Sequence, residues 1–110
     1  MTADTTTFFD ELAQRGYEPT LAKASGTARF EIRNGKTERW LLTVDKGRLS
    51  VSRRNTRADT VVRSDRKTFD RVASGRENVL AAVLRGEIAI EGDSRLLVGL
   101  QRLFPRAQGR

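Results

Sequence analysis

The side chains that carry most covalent and metal chemistry are missing from this sequence: its 110 residues include no His and no Cys. Without Cys there is no disulfide, thiolate nucleophile, iron–sulfur cluster or thiolate zinc site. Without His, the commonest general base and metal ligand is lost, and with it every Ser-His or Cys-His arrangement. Carboxylates, amines and guanidiniums remain. Asp93 could serve as an acid, but a carboxylate between a turn and a helix reads more simply as a cap. Lys23, Lys36, Lys46 and Lys67 fall in polar or turn contexts, and none is set to be desolvated for Schiff-base chemistry. The glycines match neither a dinucleotide fingerprint nor a phosphate loop, because Gly86 to Gly92 enclose a strand and no Gly-Lys-Ser/Thr occurs. A non-enzymatic protein with no cofactor and no metal is expected.

The charge is the next candidate. The formal net charge is +7, and Arg outnumbers Lys 17 to 4 along the whole chain. Codon usage in a GC-rich genome would produce that bias by itself. The one tight cluster, Arg53, Arg54 and Arg57, lies in a stretch read as a loop. It is either solvated or a contact for phosphate on an anionic membrane or nucleic acid. A nucleic-acid partner is not expected, since Trp40 and Phe30 fall on the face assigned to the core and cannot stack on bases. No window approaches ~18 uninterrupted apolar residues and no leader-like run opens the chain. A cytoplasmic protein is expected.

These side chains are positioned by elements that the periodicity marks out. Thr7 is a candidate cap for a first helix carrying Phe8 and Leu12 and stopped by Gly16, and Pro19 opens a short second helix. From Thr27 the period changes to two: Ala28, Phe30 and Ile32 alternate with polar residues. Asn34-Gly35 signals a hairpin with positive φ at both positions, returning through Trp40, Leu42 and Val44. Asp45-Lys46-Gly47 turns the chain into Leu49 and Val51. One face of this meander is apolar; the other is polar and solvated, so helices should cover one side only. Thr60 to Arg63 is a short strand. Ser64 or Asp65 caps a helix with Phe69, Val72 and Ala73, and Asn78 or Glu77 caps another with Val79, Leu80, Val83 and Leu84. Ile88 and Ile90 mark a fifth strand, and a last helix runs from Ser94 to Phe104. No repeat or linker interrupts residues 1–110, so the fold class is α+β in a single domain.

The last helix has a wide apolar face: Leu96, Leu97, Leu100, Leu103 and Phe104, with Val98 added, opposite Arg95, Arg102 and Arg106. Gly99 interrupts it and permits close approach. Two readings stand, a terminal helix that closes the core and a movable wall over an apolar cavity.

The order of residues from Phe69 onward resembles the sterol carrier protein type 2 family. Phe69-Asp70-Arg71-Val72-Ala73-Ser74-Gly75 is followed by Ala81-Ala82-Val83-Leu84-Arg85-Gly86, then by Glu87-Ile88-Ala89-Ile90-Glu91-Gly92-Asp93 and Leu96-Leu97 through Leu103-Phe104-Pro105. The likeness is specific from Phe69 to Pro105, and looser but collinear from Phe8. It implies a two-layer α+β domain, with a five-stranded mixed sheet, helices on one face and an apolar tunnel between them. It also implies an apolar lipid ligand (a sterol, fatty acid or acyl-CoA) bound without chemistry. By position, the implied lining is Phe69, Val72, Val83, Leu84, Ile88, Ile90, Leu97, Leu100, Leu103 and Phe104, with Trp40 and Leu42 closing the sheet side. The chain ends Ala107-Gln108-Gly109-Arg110, without a Ser-Lys-Leu type peroxisomal signal. With the Arg-rich composition, this points to a bacterial, actinobacterial, cytosolic version.

The leading expectation is therefore a lipid-binding carrier, in transient contact with an anionic membrane or a partner enzyme. The alternative is an interaction or accessory domain with a filled core, which recruits a partner or presents substrate to it.

Overall fold

Alternating apolar residues and turn-forming glycines produce the sheet, and the computed structural model describes residues 4–105 of the chain. Strands β1 (Ser25–Asn34), β2 (Lys36–Asp45) and β3 (Arg48–Ser52) form an antiparallel meander. Strand β4 (Thr60–Asp65) pairs parallel to β1, and β5 (Ile88–Gly92) pairs antiparallel to β4. The order β3-β2-β1-β4-β5 makes this the five-stranded mixed sheet that the resemblance implied. Helices α1 (Asp4–Arg15), α2 (Arg66–Ala73), α3 (Val79–Leu84) and α4 (Ser94–Leu100) complete the domain, with 3-10 turns at Pro19–Leu21 and Gln101–Leu103.

Register decides which face is buried. Ala28, Phe30 and Ile32 of β1 stand beside Leu42 and Trp40 of β2 and Val62 of β4, and all of these are buried. The helices bring Phe8, Phe9 and Leu12 of α1, Phe69 and Val72 of α2, and Leu96 and Leu100 of α4 to the same core. Arg29, Glu31, Arg39 and Arg63 alternate onto the outer face. There Glu31 pairs with Arg29 at 2.9 Å, Arg63 at 3.0 Å and Arg39 at 3.7 Å. Burial by itself would raise the Glu31 carboxyl, but the hydrogen bonds from Arg63 and Arg29 outweigh it and hold it below its ordinary value.

Five details differ from the sequence reading. The outer face is not wholly solvated: the crossover 53–59 runs over it, with the Thr56 carbonyl accepting from Arg29 at 2.7 Å, and Leu41 beside Arg29 is buried. The first hairpin turns on Gly35 alone, with Asn34 and Lys36 still paired. Positive φ at two successive residues occurs instead at Lys46 and Gly47. Gly47 is needed there for space as well, because a Cβ would come within 2.7 Å of the Tyr17 ring. Helix α1 already includes Asp4, ahead of the expected Thr7 cap. Its Thr5 N–H and hydroxyl both donate to the Asp70 carboxylate on α2, a cap supplied from 65 residues away that no local pattern could show. Pro19 opens only a 3-10 turn, and α4 tightens into 3-10 after Leu100.

The other caps follow expectation. The Asp65 carboxylate accepts from Thr68 N–H at 2.7 Å, Asn78 from Ala81 N–H at 3.0 Å, and Asp93 from Arg95 N–H at 2.9 Å. Asp93 thus acts as a helix-terminal acceptor, as its position suggested. Its carboxyl is held below the ordinary value first by the Arg95 side chain and then by that backbone N–H.

Candidate functional site

The helix layer meets the sheet through a cluster of aromatic rings contributed by separate elements. Phe9 stacks on Trp40 with centroids 4.6 Å apart and lies parallel to Phe69 at 5.8 Å. Phe8 stacks on Phe104 at 4.6 Å, and Phe30 meets Phe69 edge-on at 5.8 Å. This ties α1, α2, the sheet and the chain after α4 into one apolar seam. Beside the rings is a cavity with no polar lining side chain, bounded by Phe30, Val62, Phe69, Val79, Ile88, Ile90, Leu100 and Phe104. Its volume is about 10 Å³. That is the threshold for one water and far below the ~300 Å³ of an open ligand pocket. The seam is present but closed.

Of the residues expected to line a tunnel, Phe69, Ile88, Ile90, Leu100 and Phe104 stand together around the seam. Trp40, Leu42 and Val72 are buried in the same core without reaching the cavity. Leu103 is buried too, facing Phe8 and Leu12 of α1 across a small groove. Val83 is half-buried and faces outward into a second space. Leu84 departs from expectation: it is 80% exposed and cannot line an interior space. Helix α3 has only six residues, and its buried side turns on Ala82, which puts Leu84 on the solvent side. Val98, added to the apolar face of the last helix, is likewise 59% exposed. The Leu97 side chain lies outside the described residues, although Leu97 itself belongs to α4.

Phe30, Val62 and Val79 line the cavity although sequence reasoning placed them only in the core or on elements. A period-two strand marks Phe30 and Val62 as inward, but not which inward residues meet the last helix. Val79 has a special position. It lines the seam, a 110 Å³ apolar groove with Leu80, Val83, Val98 and Gln101, and a 420 Å³ polar hollow with Glu18, Thr20, Asn78, Gln101 and Arg102. It is common to the narrow seam and to the two wider spaces beside it.

The terminal helix is set at close range. Leu96 lies against Gly26 of β1, and a methyl group added at Gly99 would come within 2.6 Å of Leu21 Cδ2. Its glycine therefore lets α4 sit tightly on the Pro19–Leu21 turn, which keeps the seam shut.

The Arg cluster divides. The Arg53 guanidinium lies 4.1 Å from the Trp40 ring centroid, with its Nε donating to the Arg39 carbonyl at 2.7 Å. Arg54 and Arg57 are exposed on the crossover. Among the described residues, no helix is long and apolar enough to cross a membrane.

Comparison with known proteins agrees with this architecture. The structure is similar to palmitated SCP2L2 from Aedes aegypti, with a TM-score of 0.74 at 17% identity over 94% of this chain and 96% of that one. It is similar to the sterol carrier protein domain 2 of Helicoverpa armigera, with a TM-score of 0.73 at 22% identity over 90% and 86% of the two chains. It also matches 17% of the length of the sec-alkylsulfatase Pisa1 from Pseudomonas sp., with a TM-score of 0.71 at 22% identity over 98% of this chain. No curated protein matches. The sequence profile of the SCP-2 sterol transfer family matches residues 8–105, and the chain belongs to that family.

Proposed function

We propose that the protein is a lipid-binding carrier, which admits a fatty acyl chain, a sterol or an acyl-CoA between α4 and the sheet and holds it without chemistry. The observation that supports this most is the wholly apolar seam, walled on the side away from the sheet by Leu100 of the short helix α4 and by Phe104 after it. Apolar burial would supply the affinity at about 25 cal/mol per Å², so a ligand burying a few hundred Å² gains several kcal/mol, enough for micromolar binding after association costs. With about 10 Å³ of free volume, admission requires α4 to move off Leu21 and the sheet. In this reading, the residues that contact the ligand are those that now contact one another, principally Phe30, Phe69, Ile88, Leu100 and Phe104.

The closed seam favours one alternative, an accessory domain with a filled core that recruits a partner enzyme or presents substrate to it. Native mass spectrometry of the protein as purified, then after incubation with palmitate and with cholesterol, separates the two. A carrier shows a one-ligand mass increment that survives gentle ionisation. A clean apo mass under all three conditions sinks the carrier reading and leaves the filled core.

A further inference from the structure

The 420 Å³ hollow bounded by the Pro19–Leu21 turn, the start of α3 and the Gln101–Leu103 turn has the size of a small-molecule site and a lining unlike that of the seam. Glu18, Thr20, Asn78, Gln101 and Arg102 bring a carboxylate, a hydroxyl, two amides and a guanidinium to it. Val79 and Phe104 line both the hollow and the seam, so the two spaces share a border. Much of the polar capacity is unspent. Among the described residues, none bonds to or pairs with the side chains of Gln101 and Arg102. Asn78 accepts from Ala81 N–H at 3.0 Å, which leaves its amide hydrogens as donors. Glu18 Oε1 accepts from Arg15 at 3.0 Å and keeps a second lone pair, while the Thr20 hydroxyl donates to Oε2 at 2.8 Å and can still accept. The charges cancel: Glu18 faces the hollow with Arg102, and Glu11 and Arg15 line the adjoining groove that Arg102 also borders. The Glu18 carboxyl is held below its ordinary value, first by the Thr20 hydroxyl and then by the Thr20 backbone N–H, so it is anionic at neutral pH.

We infer that the hollow holds the uncharged sugar head of a single-chain glycolipid, whose chain lies in the opened seam and leaves it between Val79 and Phe104. This rests on the carrier reading and narrows its ligand from any apolar lipid to a neutral glycosyl amphiphile. A carboxylate or phosphate head would meet Arg102 but also Glu18, and a cationic head would meet the same pair in reverse. A sugar uses both signs, because its hydroxyls accept from Arg102, Asn78 and Gln101 and donate to Glu18, Thr20 and the Gln101 carbonyl group of the side chain. Phe104 and Pro105 offer apolar contact to its C–H groups. A free carboxyl group or a glycerol would fill only a small part of 420 Å³. The hollow is open to water, so each hydrogen bond replaces one to solvent, and preference for the sugar grows with the number of such bonds.

The test is calorimetric titration of the full chain with four amphiphiles of one chain length, each below its micelle concentration: n-decyl β-glucoside, decanoate, decyltrimethylammonium and 1-decanoylglycerol. The glucoside is expected to bind about tenfold tighter than either charged amphiphile, and tighter than the glycerol ester, which brings fewer hydroxyls to the same lining. Gln101→Leu removes the side-chain amide from the hollow and leaves the backbone carbonyl that accepts from Phe104 N–H in place. This variant is expected to weaken the glucoside about fivefold and decyltrimethylammonium by less than about twofold. Decanoate or the glycerol ester binding as tightly as the glucoside, a glucoside affinity unchanged by Gln101→Leu, an equal loss for all four heads, or no glucoside binding overturns the inference. Palmitate is titrated in parallel, because it reports on the carrier reading independently. Palmitate binding without preference for the glucoside refutes the head site alone, whereas failure of palmitate and glucoside together refutes the carrier reading as well.

Discussion

Truncating Leu100 to Ala tests directly whether α4 seals the seam. Leu100 is 1% exposed and faces Phe30, Val62, Phe69 and Phe104 across a space of only about 10 Å³, so almost all of the room opened by truncation would be new. Buried Leu→Ala changes cost about 2.7–5.0 kcal/mol, increasing by about 24 cal/mol for each Å³ of void that remains. One wall here is a five-stranded sheet that cannot relax, and the other is a seven-residue helix that can. Partial collapse of α4 places the expected loss near the middle, about 3–4 kcal/mol. A domain stable by about 5–15 kcal/mol survives that. Urea unfolding followed by the fluorescence of the single Trp, buried Trp40, measures it, with Leu84→Ala as the matched control at 80% exposure. The control should stay within about 0.5 kcal/mol of wild type. In a carrier the Leu100→Ala seam is already partly open, so palmitate should restore stability to this variant more than to wild type, as linkage requires of a ligand bound more tightly. A loss under about 1 kcal/mol at Leu100, or equal losses at Leu100 and Leu84, would refute the placement of α4 as the seal.

Other perturbations address the supports of the seam. Gly99→Ala gains about 1 kcal/mol of helix propensity but drives a methyl to 2.6 Å from buried Leu21, an overpacking that costs about 1–3 kcal/mol, so urea midpoints should fall slightly. Thr5→Val preserves shape while removing the hydroxyl bond to the Asp70 carboxylate, and should lower stability by about 1.5–3 kcal/mol in the same assay. Asp65 has its carboxyl held below its ordinary value, first by the Thr68 backbone N–H and then by the Thr68 hydroxyl. With the folded value below the unfolded one, its contribution is complete above the unfolded pKa of about 3.9 and is lost as pH falls through the folded pKa. The stability difference between wild type and Asp65→Asn should therefore narrow in acid, and a difference that stays constant from neutral to acid pH would show that the carboxylate charge is not what caps α2.

The sheet was legible because its information is local. Ala28, Phe30 and Ile32 against Trp40, Leu42 and Val44 alternate by residue type alone, and the caps at Asp65 and Asn78 accept from N–H groups three residues away. The features missed are long-range. Thr5 is capped by Asp70, the 53–59 crossover contacts Arg29 on the outer face, and Gly47 has to clear the Tyr17 ring. Helix α3 misled for a different reason. Val79, Leu80, Ala82, Val83 and Leu84 are apolar nearly all round, so periodicity could not choose the inward side, and Leu84 points to water. The family likeness placed Ile88, Leu100 and Phe104 at the seam but could not supply its width.

That width depends on side-chain contacts rather than on pattern. The residues that would line a lipid tunnel and those that fill a dry core are the same types at the same spacing, since Leu100 and Phe104 satisfy either description. The two outcomes differ in how far α4 stands from the sheet, and two contacts fix that distance, Leu96 on Gly26 and Gly99 on Leu21. Both involve a residue without a side chain, which binary patterning leaves blank. Because Leu21 lies in a three-residue 3-10 turn and not in a long helix, the support under Gly99 is a small element that can yield. The cavity extends from the Phe69 edge of the aromatic cluster toward Ile88 and Leu100, away from Phe9 and Trp40. In the carrier reading, truncating Phe9 or Trp40, which lie away from the cavity, should lower stability without changing which lipid is admitted, whereas truncating Phe69, which belongs to both cluster and seam, should change both.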